Sequence, residues 1–112
     1  MTGFVIFLAR YGGSGTKMIG FINKITTVSG ERDKVMRLVL EGSDKMEGCR
    51  SYIVAADAGN SDIIWVTEVW DDAEKQQVAL KSPTVRAAVE QAMPLIAGFE
   101  NVATTTPVEP MS

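Results

Sequence analysis

Apolar residues recur along the chain at two different spacings, and the change from one spacing to the other predicts where strands and helices lie. A β-rich stretch from Met18 to Val28 ends at Ser29-Gly30 and is followed by apolar residues at helical spacing up to about Met46. We expect Ser29 to cap this first helix, because a serine oxygen at that position can accept a free backbone N–H. The first part of the domain is therefore predicted to be a strand followed by a helix.

Two further strands are predicted in the middle of the chain. Strand-forming residues over 49–56 and 63–70 flank a turn at 57–62 that is rich in Asp, Asn and Gly. This pattern is typical of an antiparallel hairpin. The run at 63–70 is apolar on both parities, so we expect both faces of this strand to be covered.

The last third of the chain predicts two helix starts and a closing strand. Asp71 and Glu74 have the spacing of a capping box, and Ser82-Pro83 gives the second start. A strand over 99–105 follows. The order is that of an antiparallel, ferredoxin-like βαββαβ domain of the α+β class. Helices cover one face of such a sheet, so its apolar second face predicts pairing with a second copy.

The chain divides into three predicted parts. Residues 1–17 contain the apolar run FVIFLA and a Gly-rich stretch, and we interpret them as a leader or tag-like segment with a linker. An additional edge strand formed by FVIFLA is the alternative. Residues 18–106 form the domain and residues 107–112 a flexible tail. The apolar run is too short for a membrane-spanning helix, and no membrane association is expected.

Composition removes several kinds of chemistry. The 112 residues include no histidine, which excludes histidine-dependent triads and histidine ligands of metals or haem. The single cysteine, Cys49, allows neither an internal disulfide nor a thiolate cluster, and it fits a reducing cytoplasm. A net charge of -3 with scattered basic residues argues against nucleic acid as a partner. No metal site is predicted.

Polar side chains interrupt two apolar strand faces. Asn23 shares a predicted strand face with Phe21, so it either bridges other groups or contacts a ligand. Glu68 either pairs with Lys24 or an arginine across the sheet, or lies desolvated beside a cavity with a raised pKa. Trp70, at the junction of a strand and a helix, either lines a pocket or packs in the core.

Three sequence runs carry a resemblance to a known family. They are IWVTEVWDD at 64–72, LKSP at 80–83 and PLI at 94–96. The chain resembles the antibiotic biosynthesis monooxygenase family, also described as quinol monooxygenases, from about residue 18 to residue 108. The resemblance implies a dimeric α/β barrel in which two sheets pack face to face. It also implies a pocket in each subunit for a phenolic or polycyclic aromatic substrate, which activates oxygen without metal, flavin or another cofactor.

The resemblance also bears on individual residues. Asn23 and Trp70 match a strand-one asparagine and a strand-three tryptophan of the family, and with Glu68 they are the expected catalytic residues. Haem-degrading relatives carry a helix histidine where this chain has Val89, and many quinol monooxygenases carry one where it has Gln76 or Gln77. Neither haem oxygenation nor a histidine-assisted mechanism is therefore expected. The substrate contacts that we expect are Phe21, Tyr52, Trp65, Gln76, Arg86 and Val89.

Two functions remain open on the sequence. The first is a cofactor-independent monooxygenase that oxidises a quinol, phenol or polycyclic aromatic with molecular oxygen. Asn23 would hold the oxyanion, Trp70 would stack on the ring, and Glu68 or Arg86 would manage charge. The alternative is a non-catalytic or stress-related homodimer that binds a small aromatic ligand, and a pocket filled by side chains would leave only a structural role.

Overall fold

The computed structural model describes residues 17–108 as a four-stranded antiparallel sheet with helices packed on one face. The strands are β1 (Ile19–Thr27), β2 (Cys49–Ala56), β3 (Ile63–Trp70) and β4 (Ile96–Thr105), in the spatial order β2-β3-β1-β4. The helices are α1 (Arg32–Gly42), α2 (Ala73–Leu80) and α3 (Pro83–Ala92), and a 3-10 turn at Met93–Leu95 joins α3 to β4. The predicted βαββαβ order and ferredoxin-like fold are confirmed.

Some predicted features lie outside the described residues. Residues 1–16 and 109–112 contain the apolar run FVIFLA, the Gly-rich stretch and the end of the predicted tail. The division into segments 1–17, 18–106 and 107–112 stays a prediction.

The start of α1 differs from the prediction. Ser29 does not cap the helix, which begins at Arg32 with Glu31 at the N-cap and no side-chain capping bond. Gly30 takes a φ of 83°, and its N–H donates to the Asp62 carboxylate at 3.3 Å. This left-handed residue adds a turn that separates Ser29 from the first helical N–H groups.

The start of α2 and the end of α1 both differ from the prediction by a few residues. The second helical region begins one position later than predicted, because Asp72 rather than Asp71 is the cap and accepts the Lys75 N–H at 2.8 Å. α1 ends at Gly42 rather than near Met46. Helix ends fray and extend at a small free-energy cost, so the sequence pattern does not fix them to the residue.

The predicted break between the second and third helices is confirmed. The Ser82 hydroxyl accepts the Val85 N–H at 3.2 Å, and Pro83 occupies the first turn of α3. β4 begins earlier than predicted, at Ile96 rather than Phe99. Its first residue pairs with Thr27 at the end of β1, so pairing across the sheet extends the strand.

The core lies between the sheet and the helices. Its main cluster comprises Ile25, Val35, Leu38, Ile64, Val66, Ala92 and Ile96. α1 and α3 approach closely, since a Cβ atom built on Gly42 would stand 2.5 Å from the Ala88 Cβ. Beside the main cluster, Phe21 and Trp70 pack with Ala79 of α2. Alternate residues of β1 and β3 are buried, and this alternation presents one side of each strand to the helices.

The opposite face of the sheet is more exposed. Trp65 lies on this face of β3 and its indole N–H donates to the Asp57 carboxylate at 2.7 Å. Ile53 of β2 pairs with Thr67 on the same face and is 57% exposed. In the described residues, β3 is therefore buried on the side that faces the helices, whereas its other side is partly exposed.

Candidate functional site

A cavity lies between the helix face of the sheet and all three helices. Its volume is about 90 Å³. Because one water needs a cavity of roughly 10–15 Å³, this cavity holds several waters or a small organic group. Most of its wall is apolar, and the polar side chains that line it are Asn23, Ser43, Tyr52, Glu68, Trp70 and Gln76. A pocket filled by side chains is therefore contradicted.

The sheet register brings the strand-borne polar groups together. Glu68 and Trp70 are two positions apart on β3 and so share the helix-side face. Tyr52 of β2 pairs with Glu68, and Asn23 of β1 pairs with Val66, the next β3 residue on the same face as Glu68. Side chains on one face of paired strands stand about 5 Å apart at Cβ, which puts these groups within contact of one another.

Glu68 is a buried carboxylate held by two neutral donors. The Trp70 indole N–H donates to Glu68 Oε1 at 2.6 Å, and the Asn23 amide donates to Oε2 at 3.2 Å. Burial raises the pKa of Glu68 to about 7, and the bonds from Trp70 and Asn23 lower it less than burial raises it. Glu68 can therefore take up and release a proton near neutral pH.

The predicted alternative for Glu68, an ion pair across the sheet, is wrong. Lys24 alternates with Asn23 along β1 and lies on the opposite face, next to Trp65. Within residues 17–108, the ion pairs join Arg50 to Asp71 and Lys75 to Glu47, and neither includes Glu68. The carboxylate thus has hydrogen-bond donors but no salt-bridge partner in the described chain.

Tyr52 lines the cavity as a neutral phenol. Burial raises the pKa of Tyr52 well above its ordinary value, and the negative charges of Glu68 and Cys49 raise it further. The phenol therefore stays protonated at any physiological pH. Burial also raises the pKa of the Cys49 thiol, so this cysteine is not an activated thiolate.

Asn101 is a site residue that the sequence reasoning missed. Its amide donates to Asn23 Oδ1 at 2.8 Å and to the Ala103 carbonyl at 3.1 Å. Asn23 thus bridges Asn101 and Glu68, as one of its two predicted roles required, and it also lines the cavity. The available signal was an amide side chain next to apolar residues in the last predicted strand. A register shift between Ile22 and Asn23 hides the pairing of Asn23 with Asn101 from the sequence.

The helices contribute two of the predicted contacts. Gln76 of α2 is 2% exposed, lines the cavity and accepts a hydrogen bond from the Gln77 amide at 3.0 Å. Val89 of α3 forms part of the apolar wall. The structure therefore brings Gln76 and Val89 to the same cavity as Asn23, Tyr52 and Glu68.

Three predicted contacts lie elsewhere. Phe21 is buried beside Trp70 and Ala79 and does not line the cavity. Trp65 points to the opposite face of the sheet, because it is an odd number of positions from Glu68 on β3. Arg86 is exposed on α3, whose cavity side is formed by other residues of the helix. Their placement offers no direct contact with a ligand in this cavity.

Two further observations concern the described chain as a whole. No cluster of three or more His, Cys, Asp or Glu side chains suited to a metal ion occurs between residues 17 and 108. In the same range, no helix has the length and apolar character needed to span a membrane.

Comparison with known proteins defines the family. The family model described as antibiotic biosynthesis monooxygenase matches residues 18–91. The chain belongs to this family. A crystal structure named "putative Antibiotic biosynthesis monooxygenase from Chloroflexus aurantiacus J-10-fl" is 38% identical, with a TM-score of 0.82, and the match covers 86% of this chain and 98% of that one. No curated protein sequence matches the chain.

Two more distant structures share the fold. A structure from Bacteroides thetaiotaomicron with the same description has a TM-score of 0.75 at 12% identity, covering 86% of this chain and 94% of that one. A third, from Nitrosomonas europaea, has a TM-score of 0.78 at 8% identity, covering 90% of this chain and all of that one (100%). At such low identity the likeness concerns the fold alone.

Proposed function

We propose that the protein is a cofactor-independent monooxygenase that oxidises a quinol, a phenol or a polycyclic aromatic with molecular oxygen. The observation that carries the proposal is Glu68, a buried carboxylate with a pKa of about 7 on the wall of an apolar cavity. A general base works best when its pKa is near the working pH. An apolar cavity favours an aromatic ring as its occupant.

The proposed reaction begins with proton transfer from the substrate hydroxyl to Glu68. The resulting phenolate is electron-rich and donates electrons to oxygen. One oxygen atom forms a bond to a ring carbon, and the other leaves as water with two hydrogens that come from the substrate. A phenol plus oxygen thus gives a quinone plus water, and a quinol gives a hydroxyquinone plus water. All four electrons come from the organic substrate.

Neighbouring residues support this chemistry in distinct ways. The Asn23 amide nitrogen carries two N–H groups; one donates to Glu68, and we assign the other to the substrate oxyanion. The hydrogen bond to Glu68 fixes the Trp70 indole in the cavity wall, and we assign its ring to stack on the substrate. Tyr52 and Gln76 offer polar contacts, and Val89 contributes apolar surface.

Oxygen consumption tests the proposal. The wild-type protein is supplied with a panel of quinols and phenols, and its rate is compared with autoxidation and with the Glu68→Gln and Glu90→Gln variants. Loss of the base should lower kcat by about 10²–10⁴-fold. Glu90 is exposed on α3, so Glu90→Gln should retain the wild-type rate. Wild-type turnover no faster than autoxidation across the panel would refute the proposal.

A non-catalytic aromatic-binding protein is the second candidate. It is favoured by the absence of histidine, the commonest proton-transfer group, and by the bonds that Asn23 already makes at both ends of its amide. Asn23→Ala separates the two functions. Lost turnover with retained binding of a phenol supports the enzyme, whereas binding without turnover in both wild type and variant supports the binding protein.

We also propose that the protein forms a homodimer through the open face of the sheet, in a reducing cytoplasm. The exposed Ile53 and the partly exposed Trp65 and Val69 make this face apolar, and a second copy of the same face could cover it. Sedimentation velocity should give a dimer for the wild type and a monomer for Ile53→Lys. A monomeric wild-type protein at micromolar concentration would exclude the dimer.

A further inference from the structure

A continuous chain of hydrogen bonds links β4 to the carboxylate of Glu68. The Asn101 amide nitrogen donates to the Ala103 carbonyl at 3.1 Å and to Asn23 Oδ1 at 2.8 Å. The Asn23 amide nitrogen then donates to Glu68 Oε2 at 3.2 Å. From the other side, the Trp70 indole N–H donates to Glu68 Oε1 at 2.6 Å. Each donor in this network therefore points either toward Glu68, directly or through Asn23, or toward the Ala103 carbonyl.

At both ends of this hydrogen-bond network, the donor and the acceptor cannot exchange roles. A backbone carbonyl only accepts, so the bond to Ala103 fixes which end of the Asn101 side chain carries the nitrogen. The remaining N–H of Asn101 then faces Asn23 and requires an oxygen there. This requirement turns the NH₂ group of Asn23 toward Glu68. An indole N–H only donates, so Trp70 imposes the same demand on the second oxygen of the carboxylate.

We propose that Asn101 is a positioning residue that locks the Asn23 amide with its NH₂ group toward Glu68 and thereby holds Glu68 as a hydrogen-bond acceptor. The inference rests on the proposed function only in that Glu68 is the base of that reaction. With the amide locked, a protonated Glu68 cannot donate its O–H to Asn23 or to Trp70. The ionised form keeps both bonds, so the lock favours ionisation against the cost of burial.

Other charges near Glu68 do not account for this preference. Tyr52 and Cys49 are the titratable groups of β2 that face it, and their negative forms would oppose ionisation of Glu68. The helix residues that line the cavity are neutral: Val39, Gly42, Ser43, Gln76, Leu80 and Val85 are among them. No Lys or Arg lines the cavity in the described chain. The oriented amide and indole are thus the groups that lower the pKa of Glu68.

Replacing Asn101 with leucine should release the lock. The Asn23 amide could then rotate and present its oxygen to a neutral Glu68, whose O–H would donate a hydrogen bond that the neutral form lacks in the wild type. We expect the apparent pKa of Glu68 to rise by about one pH unit, the size expected for one hydrogen bond to a charged group. Asn101→Asp should act in the same direction, because a carboxylate cannot donate to Asn23.

The titration can be followed without any substrate. The chain has two tryptophans, and their indole ¹H–¹⁵N resonances report two different carboxylates. Trp70 is bonded to Glu68 and should show an inflection near pH 7, whereas Trp65 is bonded to Asp57 and serves as an internal reference. Trp65→Phe assigns the two signals, and Glu68→Gln should abolish the inflection.

Thr104→Val is the matched control on β4. Its hydroxyl donates to Asn101 Oδ1 at 3.1 Å, and the residue is exposed, so the variant disturbs the same strand but leaves the Asn101 amide nitrogen in place. Its inflection should stay at the wild-type pH. An unchanged Trp70 inflection in either folded Asn101 variant, or an equal rise in Thr104→Val, overturns the inference. Normal titration without oxygen uptake would refute only the proposed reaction.

Discussion

Replacing Glu68 with glutamine should remove a pH dependence of stability that the cavity imposes on this protein. The pKa of Glu68 is about 7 in the folded chain and 4.5 for an ordinary glutamate. Between these values the folded state binds a proton that the unfolded chain releases. The free energy of unfolding must therefore decrease as the pH rises through this interval, and it becomes nearly constant above about pH 8.

The size of the effect follows from the same two values. Because each pKa unit corresponds to about 1.4 kcal/mol, the full difference amounts to roughly 3 kcal/mol. Integrated from pH 5 to pH 8, the loss attributable to Glu68 is about 2.5 kcal/mol. Glu68→Gln carries no titrating proton at this position. Its altered bonds to Asn23 and Trp70 change stability by an amount that does not depend on pH in this range.

Urea unfolding, followed by tryptophan fluorescence at fixed protein concentration, measures the difference directly. The free energy of Glu68→Gln minus that of the wild type should increase by about 2.5 kcal/mol from pH 5 to pH 8. Glu90→Gln is the control, because this glutamate is exposed on α3. If the difference in unfolding free energy between Glu68→Gln and wild type is the same at pH 5 and at pH 8, the proposed cost of burying the Glu68 charge is refuted.

Three further predictions concern other parts of the fold. Gly42→Val should lower the unfolding free energy in urea by roughly 1–3 kcal/mol, because its Cβ would clash with Ala88. A variant as stable as the wild type would show that α1 and α3 can move apart to admit the larger side chain. Ser82→Ala should cost about 1 kcal/mol in thermal unfolding through the lost cap of α3, and an unchanged melting temperature would contradict that role. Bonds from the Trp65 indole and from backbone N–H groups lower the pKa of Asp57, so wild-type stability should fall as the pH drops below 3.8. Asp57→Asn should lose less stability over that interval, and parallel acid-denaturation curves would count against the bond.

Much of the site could be predicted residue by residue. Asn23 and Glu68 were recognisable because each interrupts an apolar strand face, and a buried polar group needs a partner or a ligand. Their partners were not recognisable. The ion pair of Glu68 with Lys24 was a reasonable alternative on charge alone, yet strand alternation puts Lys24 on the other face. Asn101 was missed because its contact with Asn23 depends on a register shift between β1 and β4.

The sequence by itself determined the order of strands and helices, the breaks at Ser82-Pro83 and at the hairpin turn, and the family. These features depend on local spacing, turn residues and caps, which act over a few neighbouring positions. Only the tertiary structure decided that Glu68, Trp70, Tyr52 and Asn23 line one cavity, that Asn101 bonds to Asn23, and that Trp65 and Arg86 do not reach the cavity. The reason is that strand pairing joins residues far apart in the chain, and a shift of one position moves a side chain to the other face of the sheet. The proton affinity of Glu68 was decided in the same way, since burial and two oriented donors, one from β1 and one from β3, set it together.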